Sequence, residues 1–225
     1  MIGNGNKSKG MGGVGIAAPM DSLSAATNPA TIAGMKNRFD IGIEIFVPDV
    51  EGQLGSVSSE SEASVNGMGL DSTFILGSMG ATYQLNEGFT LGLAVVPVGG
   101  GGTKYLTNFY EAAGAGDANA PGVDTRLGVD YLVGEVVSTI AYKVNETHSF
   151  GVSLLIGIAR FEAYGLGLFD TFTQSQGTLD RYSDQGKDWS IGYGARIGWL
   201  GNFGKLKVGA EYTSKVDMNE FDLYS

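Results

Sequence analysis

The chain of 225 residues carries 14 Lys+Arg against 24 Asp+Glu, a formal net charge of −10, and contains no cysteine. That balance argues against nucleic acid as a partner, because phosphate binding needs clustered cations, and the missing thiols exclude disulfide scaffolds, thiolate nucleophiles and cysteine zinc sites. Glycine, at 37 residues, is about twice as frequent as usual, and charged residues make up only 17%.

Residues 1–36 show no alternation. Gly10, Gly12, Gly13 and Gly15 precede a run of small residues and turn formers that includes Pro19, Asp21, Asn28, Pro29 and Ala30. Such a composition suits a compact, close-packed plug rather than a strand. Gly10, Gly12 and Gly15 match the spacing of a dinucleotide fingerprint, but that motif must follow a buried apolar strand and open a helix. Here residues 1–9 are polar and Pro19 would interrupt any helix begun at the glycines, so no nucleotide site is expected. No apolar core of signal-peptide length begins the chain, which is therefore expected to be cytosolic, already processed or a fragment.

From Phe39 the pattern has a period of two. Phe39, Ile41, Ile43, Ile45 and Val47 share one face of a first strand, with Asp40, Gly42, Glu44 and Phe46 on the other. A second strand sets Ile75, Met79, Ala81 and Tyr83 against Ser78, Gly80 and Thr82. A third sets Phe89, Leu91, Leu93 and Val95 against Thr90, Gly92 and Ala94, then ends in Val96, Pro97, Val98 and the glycines 99–102. The fourth, around residues 130–142, alternates less cleanly. Phe150 to Ile158, Trp189 to Trp199 and Leu206 to Tyr212 complete seven.

Turns near 85–88, 145–148 and 201–204 are short, whereas 49–70, 99–126 and 162–187 are long, polar and glycine-rich. Strands of this length exceed the ~5–6 residues usual in soluble sheets and match the ~9–11 needed to cross a bilayer at a tilt. Aromatic residues near the strand ends fit an interfacial girdle. Together these features predict an all-β fold, an antiparallel transmembrane β-barrel with its apolar face toward lipid and its glycine and polar face toward the lumen. No run approaches the ~18 apolar residues of a spanning helix. Seven strands cannot close a membrane barrel, because two open edges would strand backbone N–H and C=O groups in hydrocarbon. The sequence is therefore expected to lack its leader and C-terminal strands.

With these elements in place the chain resembles the FadL-type family of outer-membrane transporters for long-chain fatty acids and other hydrophobic compounds. The resemblance rests on the Gly/Ala-rich opening, Asp21 ahead of Asn28, Pro29 and Ala30, a first strand ending in Val47, Pro48 and Asp49, and the order of turns and loops. Thr31 departs from the glycine often found after the triplet. The resemblance implies the first seven of about fourteen strands in residues 37–225, and a hatch in residues 1–36, with Gly12, Gly13, Asp21, Asn28, Pro29 and Ala30 as its motif. It further implies a lateral opening at a kink in the third strand, here Pro97 with Gly99, Gly100, Gly101 and Gly102. Pro97 lacks an N–H and the glycines pack nothing, so a gate and a strand end leading into a plain loop both remain open. Leu166, Leu168, Phe169 and Phe172 are candidates for an outer ligand groove or for packing the third long loop onto the rim.

The function these features imply is passive, non-enzymatic passage of hydrophobic molecules such as fatty acids and hydrocarbons across the bacterial outer membrane. Outer-membrane lipid and lipopolysaccharide are the expected surroundings, and no cofactor or metal is expected. Asp170, Asp180, Asp184 and Asp188 lack the spacing of a calcium loop, and His148 lies in a turn away from any Ser and Asp pair. Asp40, Glu44, Glu135, Arg196, Lys205 and Lys207 are expected to face the lumen and hold the plug. A general diffusion porin or structural outer-membrane protein is the alternative, and a soluble sandwich or adhesin a third.

Overall fold

The structure, a computed structural model, describes residues 3–60, 74–109, 126–166 and 183–225. Its main sheet is antiparallel throughout. The strands are β1 (Arg38–Phe46), β4 (Phe74–Gln84), β5 (Phe89–Tyr105), β6 (Leu127–Lys143), β7 (His148–Tyr164), β8 (Asp188–Phe203) and β9 (Leu206–Thr213), paired in that order. A short β10 (Asp217–Met218) adds to β8 beyond the end of β9. A hairpin, β2 (Glu51–Leu54) with β3 (Val57–Glu60), occupies part of the segment expected to be a plain polar loop. Among the described residues no helix is long and apolar enough to cross a membrane.

Alternation decides the two faces. Ile41, Ile43 and Ile45 of β1 are each about two-thirds exposed, and Leu154 of β7, Trp189 of β8 and Tyr212 of β9 also stand outward. A continuous face of large exposed apolar side chains is untenable in water and stable in hydrocarbon. Near the short turns this face carries a ring of aromatics, with Phe89 stacked on Tyr142 at 4.5 Å and Trp199 donating from Nε1 to His148 Nδ1 at 3.3 Å.

Ser78, Thr82, Thr90, Ala94, Thr139 and Ser153 are buried on the opposite face. The N-terminal segment covers that inner face with a short helix, α1 (Asn6–Gly10), and two 3-10 turns at Ser22–Ala26 and Pro29–Ile32. Leu23 and Ala26 pack with Ala94, Val96, Val137 and Leu155 in one small core, and Ala25 and Ile32 with Ala141 in another. The core thus lies between the leading segment and the wall.

Strands β5 to β8 are 16 or 17 residues long. At about 3.3 Å per residue and a tilt of about 40° such a strand rises roughly 40 Å, more than the ~30 Å hydrocarbon layer. Such strands are therefore long enough to extend past the hydrocarbon layer into the headgroup region.

Candidate functional site

The third predicted strand does not end at the glycines. β5 continues to Tyr105, and its ladder with β6 runs its whole length with one register shift between Pro97 and Gly99. Proline has no N–H to donate, and the bulge absorbs the missing rung. Gly100, with φ of 154°, adopts a backbone that side chains disfavour, and a Cβ there would lie 2.8 Å from the Tyr131 carbonyl oxygen.

On its other edge β5 behaves differently. Its ladder with β4 covers only Thr90 to Val95, opposite Met79 to Gln84. Phe74 to Ser78 remain paired with β1 but not with β5. The wall is thus unzipped between β4 and β5 from Val96 onward, on the loop-bearing side of Pro97.

A cavity of about 450 Å³ occupies this break. Phe46, Pro48, Val50, Phe74 and Leu76 form one side, and Gly99 to Gly102 with Tyr131 and Leu132 the other. Phe46 and Leu76 lie in the same alternation as the inward Asp40 and Ser78, whereas Leu132 lies in that of the outward Ile140. The inner face of β1–β4 therefore meets the outer face of β6 across the break. No side-chain atom would meet a Cβ at Gly99 or Gly101 within 4 Å, so both glycines border open space.

Three charged residues share the lining, Glu44, Asp130 and Arg160. Arg160 Nη2 donates to Asp130 Oδ2 at 2.7 Å, and its guanidinium carbon stands 6.0 Å from the Trp189 ring centroid. Glu44 is paired with Lys9 of α1.

The leading segment is fixed by its motif residues. Asp21 caps the first 3-10 turn, accepting from Leu23 N at 3.1 Å, while Ser24 Oγ accepts from Asp21 N at 3.2 Å; this reciprocal arrangement satisfies otherwise orphaned donors. Asn28 caps the second turn through Ala30 N at 3.0 Å, with Pro29 at its first position. Asn28 Nδ2 also donates to Ile16 O at 2.7 Å and to Trp199 O at 3.0 Å. Gly151 and Gly198 of the wall lie directly against Pro29 and Asn28, leaving no space for a Cβ. Thr31, where the family often has glycine, is buried and donates from Oγ1 to Asn28 O at 2.6 Å. Gly12 and Gly13 have positive φ in the turn after α1.

Charges from the wall reach the segment as well. Asp40 Oδ2 accepts from Ser22 N at 3.0 Å and from Ser22 Oγ at 2.6 Å, and is paired with Arg38. Arg196 donates to the Ala26 carbonyl and to Thr213 Oγ1 at 2.7 Å, with Glu135 3.6 Å away. Lys205 departs from expectation, lying exposed in the β8–β9 turn. Lys207 lies in the inward register of β9 and borders a smaller recess with Pro19 and Thr31 of the leading segment, as an exposed side chain.

Leu166 is half-buried, its N–H donating to Ser183 Oγ at 3.0 Å, and does not line the cavity. Leu168, Phe169 and Phe172 lie outside the described residues, as do Asp170 and Asp180. Among the described residues no group of three or more His, Cys, Asp or Glu is placed to hold a metal ion. The pairing at the break was not legible from the sequence: Arg160 and Asp130 are thirty positions apart, and although each places a charge in a largely apolar outward register, nothing in either strand shows that the two meet.

An open antiparallel sheet with a lipid-facing apolar surface and an interior lined by a folded leading segment defines an outer-membrane β-barrel protein. The chain belongs to the outer membrane protein transport protein family (OMPP1/FadL/TodX), whose model matches residues 4–225, and this places it in the bacterial outer membrane. A comparison with curated proteins finds no match. Among solved structures it is similar to the Pseudomonas putida toluene transporter TodX, with 19% identity over 98% of this chain and 57% of that one and a TM-score of 0.68. The Ralstonia pickettii toluene transporter TbuX matches at 22% identity over 96% and 58%, with a TM-score of 0.68. A Pseudomonas aeruginosa FadL homologue matches at 16% over 96% and 52%, with a TM-score of 0.58. At these identities the likeness is one of fold, and the chain spans 52–58% of the length of these structures.

Proposed function

We propose that the protein is a passive outer-membrane conduit for hydrophobic compounds, with residues 1–36 as the hatch and the break between β4 and β5 as its lateral exit. The observation that carries this reading is the coincidence of the missing β4–β5 ladder with an apolar cavity at the same place. At the rise and tilt used above, Val96–Gly102 stand about 20–30 Å from the short-turn end. That height corresponds to the outer half of the hydrocarbon layer, where a hydrophobic molecule leaving the cavity would meet lipid.

No reaction is required. Burial contributes about 25 cal/mol per Å² of apolar ligand surface, so a hydrocarbon binds without any charge partner. A dry apolar cavity of about 150 Å³ already accommodates benzene, and the cavity here is larger. Fatty acids and plain hydrocarbons both satisfy this requirement; they differ only in the carboxylate.

Binding and conductance measured on the full-length protein test the reading. Saturable binding of toluene or an alkane, with little steady ion current across a planar bilayer, is expected. Absence of hydrophobic-ligand binding together with a large steady current would instead establish a general diffusion pore.

A further inference from the structure

We infer that the cavity at the β4–β5 break selects uncharged hydrophobic molecules over carboxylates, and that Asp130 sets this preference by neutralising Arg160. The inference rests on the conduit reading and specifies its cargo.

Among the described residues that line the cavity Arg160 is the sole cation. An amphiphile's carboxylate entering the apolar space would turn to that guanidinium. The place is already taken: Asp130 accepts from Arg160 at 2.7 Å, and the two side chains are only 19% and 8% exposed. Geometry maintains the pair. Arg160 is directly opposite Leu132 across the β6–β7 ladder and Asp130 is opposite Glu162, so the two bonded residues lie diagonally on one face. Trp189, opposite Arg160 on the other side, stacks near the guanidinium and limits its reorientation.

The surrounding charge opposes an anion further. Glu162 shares the alternation of Asp130, and Glu44 lines the opposite wall, where Lys9 offsets it. A ligand carboxylate would have to displace a preformed partner in a poorly hydrated space or lie beside acids without one, and either course forfeits its hydration uncompensated. An uncharged ester or hydrocarbon incurs neither cost. Specificity by an internal occupant of this kind works by disfavouring the wrong ligand rather than by adding contacts to the right one.

Laurate and methyl laurate, which share one alkyl chain and differ in charge, provide the test with full-length protein in nonionic detergent at pH 8. Wild type is expected to bind the ester about tenfold or more tightly than the anion, as an uncompensated carboxylate requires. Asp130→Asn removes the negative charge held against the guanidinium and is expected to reduce that preference by about tenfold, mostly through tighter laurate binding. The Asp130→Asn/Arg160→Gln double variant is expected to restore it. Equal or tighter binding of laurate by wild type overturns the charge selection while leaving the conduit intact, as does an unchanged preference in a folded Asp130→Asn protein. Failure of wild type to bind either ligand overturns the conduit reading itself and this inference with it. The wild-type comparison decides the matter even where a variant does not fold.

Discussion

Asn28 and Trp199 are joined by a hydrogen bond of 3.0 Å from the asparagine Nδ2 to the tryptophan carbonyl, spanning 171 positions of sequence. The same side chain caps its own turn through Oδ1 and reaches Ile16 O through Nδ2. One buried amide therefore determines both the local shape of the leading segment and its seat on β8. Asn28→Ala removes the cap and orphans the carbonyls, and is expected to lower stability by about 2–4 kcal/mol. Denaturant unfolding of the full-length protein in detergent measures this. A loss below about 0.5 kcal/mol, the range of ordinary surface substitutions, would show that the segment is held elsewhere.

Gly198 faces Asn28 so closely that any side chain must displace the turn. Gly198→Val is expected to loosen residues 3–36, raising their protease sensitivity and the steady ion current of the reconstituted protein. Gly77→Ala is the matched control, because nothing lies within 4 Å of a Cβ at that position, and its effect is expected to stay within about 0.5 kcal/mol. Equal behaviour of the two variants would refute the packing role assigned to Gly198.

Gly99 and Gly101 border open space at the break, and Phe74 lies near Gly102. At both positions an added Cβ meets nothing within 4 Å, so the double substitution Gly99→Leu/Gly101→Leu is expected to fold while hydrophobic-ligand binding or uptake drops by about fivefold or more. An unchanged rate in a folded variant would place the exit elsewhere.

Arg196 is largely buried between the wall and the Ala26 carbonyl, and Glu135 is its inner counter-charge at 3.6 Å. Arg196→Met leaves the Glu135 carboxylate buried without compensation and is expected to cost about 3–5 kcal/mol. Adding Glu135→Gln should recover a substantial part, because the uncompensated charge is then gone. A double-mutant cycle read by thermal unfolding gives the coupling directly; additive losses would mean that the two residues act separately.

The wall of the barrel was legible in the order of residues alone. The outward Ile41, Ile43, Ile45, Leu154, Trp189 and Tyr212 all occupy the face that alternation predicts, because a strand side chain can only point to one side or the other. The turn-forming composition of residues 1–36 was legible as well, but the motif of Asp21 and Asn28–Pro29–Ala30 came from the family resemblance, and the capping by Asp21 and Asn28 is a finding of the structure. No local pattern encodes the break in that wall. Whether Pro97 and its glycines end β5 depends on the neighbour at each edge: β6 continues the ladder to Tyr105, while β4 has already parted from it. The pairing of Arg160 with Asp130 likewise arises from the β6–β7 register, and register is a relation between strands that neither strand carries alone.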